Sequence, residues 1–136
     1  SSVEIPVIAN GGIYDRNSAI QLRQATGCSR IMIARGAIGN PWVFDDIINK
    51  SQRPENHAIC KEIKTHILEM IDFYGELRGL RHARKLILAY LVGRGYRRTL
   101  RAQVNQLCTM TEFLDILNQL SEEGPVGEPR PPDMGL

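Results

Sequence analysis

The sequence predicts an α/β segment followed by an all-α one: the last two βα units of a (β/α)8 TIM barrel, then a small helical bundle. Three observations carry this. Two apolar, β-branched runs, Ile5-Pro6-Val7-Ile8-Ala9 and Ile31-Met32-Ile33-Ala34, each lead into glycine, and a segment of helical length separates them. From Glu55 onward the apolar residues recur instead at spacings of three and four, the period of a helix face. At 136 residues the chain can bury one modest core, yet it falls short of the roughly 250 residues of a closed eightfold barrel. Ser1 stands almost on top of the first strand, so the chain is expected to be a fragment that opens inside its own fold.

The elements follow in order. Residues Val3 to Ile8 read as a buried parallel strand, with Pro6 near its start, where proline is tolerated. Gly11-Gly12 breaks it, and Asn17-Ser18 opens a helix whose apolar face is Ala19, Ile20, Leu22 and Ala25. Thr26-Gly27 ends that helix, and Cys28 leads into a second strand, Ser29 to Ala34. Asn40 suits an N-cap and Pro41 a first helical position, so a short helix is expected through Trp42 to Ile48. The polar, turn-rich stretch Asn49 to Pro54 marks a domain boundary.

Beyond it, Ile59, Ile63, His66, Ile67, Met70 and Tyr74 form one apolar stripe, and Gly75 and Gly79 bracket the exit. The next helix buries Leu80, Ala83, Ile87, Tyr90 and Leu91 and stops at Gly93. A third covers Tyr96 to Leu107, and Thr111 opens a fourth along Phe113, Leu114, Leu117 and Leu120. Four helices with short connections suggest a bundle. The segment from Gly124 to Leu136 holds four of the seven prolines and is expected to be disordered. The domains so drawn are residues 1–50, the barrel segment; 55–122, the helical domain; and 123–136, the tail.

Composition narrows the class. Apolar content of 43%, charged content of 24% and a net charge of +2 describe an ordinary globular protein. No apolar run is long enough to span a bilayer. Cys28, Cys60 and Cys108 are scattered and odd in number, which argues for a reduced, cytoplasmic-type protein over a disulfide framework. Cys28 reads as a small buried hydrophobe, and neither Cys60 nor Cys108 has a cationic neighbourhood in sequence. His57, His66 and His82 lack metal-site spacing, so no metal is expected.

Two features carry chemistry. The turns Asn10-Gly11-Gly12 and Ala34-Arg35-Gly36 follow adjacent strands, one βα unit apart. Ligand phosphates favour that end of the last barrel strands. Glycines let backbone N–H groups approach an anion, and Arg35 adds a fork of charged donors. The second feature is charge. Between Arg78 and Arg101 there are eight Lys or Arg residues and no Asp or Glu. Arg78, Arg81 and Lys85 share one helix face, and Arg94, Arg97, Arg98 and Arg101 follow. A solvated face normally mixes signs; one sign reads as a phosphate-backbone footprint. Tyr90 and Tyr96 are open to either base stacking or core packing.

With these motifs the chain resembles the flavin-dependent tRNA-dihydrouridine synthases, most closely the bacterial B-type branch. The resemblance covers nearly all of Ile5 to Leu120. Its strand motifs are shared in outline with other flavin barrels. The order Gly39-Asn40-Pro41-Trp42, then Phe73-Tyr74-Gly75, then Ala83-Arg84-Lys85 is more specific. The resemblance implies an FMN-binding barrel and a helical domain that helps clamp tRNA, in a monomer that takes hydride from NADPH. It places the FMN phosphate at Asn10, Gly11, Gly12, Ala34 and Arg35. The basic residues Arg78, Arg81, Lys85, Arg97 and Arg98 become the tRNA contacts. Gly12 stands where an acid is common and Ala34 where glycine is, and neither departure removes a backbone donor. Leu86 replaces a histidine often found after Arg-Lys. The family's proton-donor cysteine lies on an upstream barrel loop, so no catalytic residue is carried over. Two rivals remain: a non-catalytic tRNA- or RNA-binding module, and an FMN-dependent barrel oxidoreductase acting on a small molecule.

Overall fold

The computed structural model describes residues 3–128. The chain divides into two compact units, Ser1–Arg53 and Pro54–Leu136.

The first unit is β1 (Ile8–Asn10), α1 (Arg16–Thr26), β2 (Arg30–Met32), a 3-10 turn (Arg35–Ala37) and α2 (Val43–Asn49). β1 and β2 pair in parallel, with Ala9 opposite Ile31 and Asn10 opposite Met32, so their carboxyl ends lie side by side. α1 starts slightly earlier than the Asn17-Ser18 signal suggests, because Asp15 is its N-cap. The Asp15 carboxylate accepts from the Ser18 amide at 2.8 Å, and Ser18 Oγ accepts from the Asp15 amide at 3.1 Å. Gly27, at φ 68°, ends the helix. Arg16 ties α1 to α2: its amide donates to Asp46 Oδ2 at 3.1 Å and its guanidinium to the Ile47 carbonyl at 2.7 Å.

Three expectations are corrected here. The first strand is three residues long, and Val3, Ile5, Val7 and Ile8 are exposed rather than buried. A parallel strand is buried only where layers cover both faces, and among the described residues β1 has one strand neighbour, β2. The second strand is likewise cut to Arg30–Met32, because the chain turns into the 3-10 segment at Arg35. Finally, α2 begins at Val43 rather than Pro41: the Asn40 carbonyl accepts from the Val43 amide at 3.2 Å, a tight turn that precedes the helix.

The second unit is α3 (Asn56–Tyr74), α4 (Glu76–Leu91), α5 (Arg98–Gln106) and α6 (Met110–Glu123). Its core is the stripe Ile59, Ile63 and Ile67 against Leu80, Ala83, Ile87 and Leu91, closed by Leu100, Val104, Phe113 and Leu120. Gly75 alone, at φ 76°, joins α3 to α4. Gly79 does not close a loop but lies buried inside α4. A Cβ there would stand 2.8 Å from Ile71 Cα, so the residue marks the close approach of the two helices. Tyr74 is exposed, not core. On α6 the helical period buries Ile116 and leaves Leu114 out.

His66 and Tyr90 meet beside the core, with Nδ1 3.2 Å from the phenol oxygen. Asn56 pins the ends of the unit together. Its amide nitrogen donates to the Leu120 carbonyl at 2.9 Å, and its oxygen accepts from Tyr96 Oη at 2.7 Å. Of the expected disordered tail, 129–136 lie outside the described residues. Within it, the Val126 and Gly127 amides both donate to the Gly95 carbonyl at 3.1 Å, so that stretch is held against the bundle.

α6 is capped by Thr109 rather than Thr111. Glu112 Oε2 accepts from the Cys108 and Thr109 amides at 2.7 and 3.0 Å, while Thr109 Oγ1 accepts from the Glu112 amide. The Cys108 and then the Thr109 amide bonds hold the Glu112 carboxyl below its ordinary range. A carboxyl depressed by folding binds fewer protons in the folded state, so its contribution is present above the unfolded value and is lost as pH falls through the folded one. The melting-temperature gap between wild type and Glu112→Gln should therefore be open at neutral pH and close on acidification below the usual carboxylate range. A gap constant with pH would refute that role.

Candidate functional site

The glycine turns of the first unit are brought together. Gly36 is buried, and a Cβ on it would stand 1.9 Å from the Ile13 carbonyl oxygen and 2.9 Å from its carbon. The loop after β1 and the turn after β2 are thus pressed backbone against backbone, with Ile13 buried beneath. Asn10, Gly11, Gly12, Ala34 and Arg35 all stay exposed around that contact. Arg35 and Gly36 open the 3-10 turn, and the first amides of such a turn have no partner within it. Neither glycine of the first loop is at positive φ. A Cβ on Gly12 would make only an ordinary 3.9 Å contact with Tyr14, whereas one on Gly11 would press on Leu22 at 3.3 Å.

In the second unit the basic run divides. Arg84 and Arg94 are turned to internal work, and Arg101 is half-buried. Arg84 Nε donates to the Leu107 carbonyl at 2.7 Å, Arg94 donates to the Tyr90 carbonyl at 2.6 Å, and Arg101 Nε is buried. Arg78, Arg81, Lys85, Arg97 and Arg98 are exposed. The first three recur along one stripe of α4, and Arg97 pairs with Glu123 at 3.3 Å. Tyr90 and Tyr96 prove to be core residues, 2% and 5% exposed, with burial pushing each phenol up to about 12.

Two of the thiols, Cys28 and Cys108, differ from the sequence reading. All three are free. Cys28 is half-buried rather than buried, and Arg84 Nη2 lies 3.2 Å from the exposed Cys108 sulfur. That cation stands 24 residues away in the chain, so no local motif signals it. Sequence reasoning also passed over the exposed pair Phe73 and Tyr74 as a site feature. Its signal, two aromatics immediately before Gly75 at a helix end, was available. Among the described residues, no group of three His, Cys, Asp or Glu side chains could hold a metal, and no helix is long and apolar enough to cross a membrane.

An α/β unit with paired glycine turns, and a helical unit with a basic face of one sign, define the class. The chain belongs to the dihydrouridine synthase family, whose model, Dihydrouridine synthase (Dus), matches residues 1–123. It is 36% identical over 128 residues to tRNA-dihydrouridine synthase B of Shewanella oneidensis, an alignment covering 90% of this chain and 39% of that protein. It is 39% identical over 97 residues to tRNA-dihydrouridine synthase B of Pasteurella multocida, covering 67% of this chain and 29% of the relative. A probable tRNA-dihydrouridine synthase of Mycobacterium leprae is 31% identical over 122 residues, covering 85% and 32%. The chain thus spans about a third of the length of the curated relatives it matches.

Proposed function

We propose that this chain works as part of a tRNA-dihydrouridine synthase, an FMN-dependent oxidoreductase that reduces a uridine in tRNA to 5,6-dihydrouridine with NADPH, in the cytoplasm. The observation that carries this reading is the family match over residues 1–123, which runs through both units. In this reading residues 1–50 are the last two βα units of a TIM barrel, and 55–122 are the tRNA-binding helical domain.

The residues present suit a flavin phosphate. Two apposed strand-end turns offer backbone amides, and Arg35 is exposed beside them, a donor set of the kind that binds dianions. FMN, when bound, supplies the hydride chemistry. The residues Asn10, Gly11, Gly12, Ala34 and Arg35 bind and orient its phosphate, and none of them is assigned a proton-transfer role. Arg78, Arg81, Lys85, Arg97 and Arg98 take the tRNA backbone.

The test of the whole is dihydrouridine content, read by mass spectrometry of digested tRNA from cells with and without the gene for this chain. Loss of dihydrouridine at one position is expected, and unchanged tRNA would defeat the reading. The rivals give other results: an RNA-binding module binds tRNA but purifies without flavin, and a small-molecule oxidoreductase carries flavin and leaves tRNA untouched. For the phosphate site, Arg35→Ala should weaken FMN binding by about tenfold or more, the loss of charged hydrogen bonds. Titration of the apoprotein with FMN, followed by flavin fluorescence, checks it; unaltered affinity would remove Arg35 from the site.

A further inference from the structure

We propose that the α3–α4 corner is a nucleobase-stacking platform, on which the exposed rings of Phe73 and Tyr74 take an unpaired base of RNA while its phosphates run along Arg78, Arg81 and Lys85. This rests on the tRNA reading above and adds a base contact which that reading does not contain.

The first observation is exposure. Phe73 is 80% exposed, Tyr74 48% and Leu77 57%, a cluster of apolar surface on one turn of chain. The rings are ordered against one another. Phe73 and Tyr74 meet edge-to-face at 4.8 Å, and the Tyr74 ring lies 5.3 Å from that of His82. His82 is the link to the charge. It sits four residues after Arg78 and three before Lys85, so it belongs to the same helical stripe. The aromatic cluster therefore continues directly into the basic one.

The corner is also firmly based. Gly79 seats α4 against the Ile71 backbone, and around Gly75 nothing lies within 4 Å of a would-be Cβ. The platform thus has a packed floor and an open mouth. Aromatic rings beside a track of cations are what a single nucleic-acid strand requires, because every base has a π-face and every phosphate a charge. An apolar protein partner would leave the cations of the stripe without counter-charges, which favours RNA. The tyrosines that might have stacked elsewhere in the basic run, Tyr90 and Tyr96, are buried.

The experiment measures binding of the full chain to an unmodified tRNA transcript across a salt series, for wild type, Phe73→Ala, Phe73→Trp and Arg81→Ala, with thermal melts of each. Phe73→Ala should weaken binding by about tenfold with the salt slope unchanged, because the slope counts phosphate contacts. Phe73→Trp should restore binding, and Arg81→Ala should make the slope shallower by about one. If Phe73→Ala binds as wild type while Arg81→Ala is weakened, the platform is wrong and the tRNA face stands. A lowered melting temperature or altered sedimentation for Phe73→Ala would mean that the ring packs against protein, which also overturns it. If wild type itself does not bind tRNA, the underlying reading fails and the platform with it.

Discussion

Changing Arg78, Arg81 and Lys85 together to glutamate should abolish measurable tRNA binding at physiological salt while leaving the bundle folded. All three are exposed on α4, whose buried face is Leu80, Ala83, Ile87 and Leu91, so the substitutions touch no core contact. Each phosphate contact releases roughly 0.9 of a counterion, and reversal adds repulsion to the loss. The milder triple alanine variant should therefore flatten the salt slope by about three and weaken binding by about a hundredfold. Filter binding over a salt series reads both quantities. A triple variant with wild-type affinity would make the helical unit a structural cap. Alanine at Arg84 is not an equivalent probe, since Arg84 bonds the Leu107 carbonyl and its loss would disturb α5.

The second large effect is expected at Gly36. Alanine there meets the Ile13 carbonyl oxygen at 1.9 Å, and no rotamer relieves a backbone clash. The two turns must move apart, at a cost of about 1–3 kcal/mol or more, which outweighs the roughly 0.4–1 kcal/mol that removing a glycine can contribute through the unfolded chain. Because the same turns hold the proposed phosphate site, FMN affinity should fall with stability. Gly12→Ala is the matched control: its added Cβ finds a 3.9 Å contact and an ordinary φ, so stability should hold or rise by up to about 1 kcal/mol. Chemical denaturation of the two variants side by side decides the matter. Equal stability would mean that the loops are not pressed together at Gly36.

What could be read from the sequence follows from how local each signal is. The α4 face was legible because Leu80, Ala83, Ile87 and Leu91 keep the helical period over three turns, and burial then follows from geometry alone. Helix starts were legible only to within a turn. Asp15 with Ser18, and Thr109 with Glu112, are capping boxes, yet each has a plausible competitor two residues on. The strand at Val3 to Ile8 was overdrawn because β-branched composition shows what suits a sheet, not how many neighbours the sheet supplies. The two glycine turns were visible as motifs, but their mutual contact at Gly36 and Ile13 was not. The same holds for Arg84 beside Cys108, and for Tyr74, whose place in a helical stripe suggests core when it is in fact the last, exposed residue of the helix.

Asn56 has a consequence for how the second unit is made. It leaves the ribosome 64 residues before Leu120, whose carbonyl it binds, and 40 before Tyr96, which donates to it. Contacts so distant along a chain form late, after the entropy of closing the intervening loop has been overcome. The hairpin of α3 and α4 can assemble during synthesis, but its first turn keeps an unmatched amide until the last helix arrives. The unit therefore stays incomplete until α6 has been made, however early its first two helices pair.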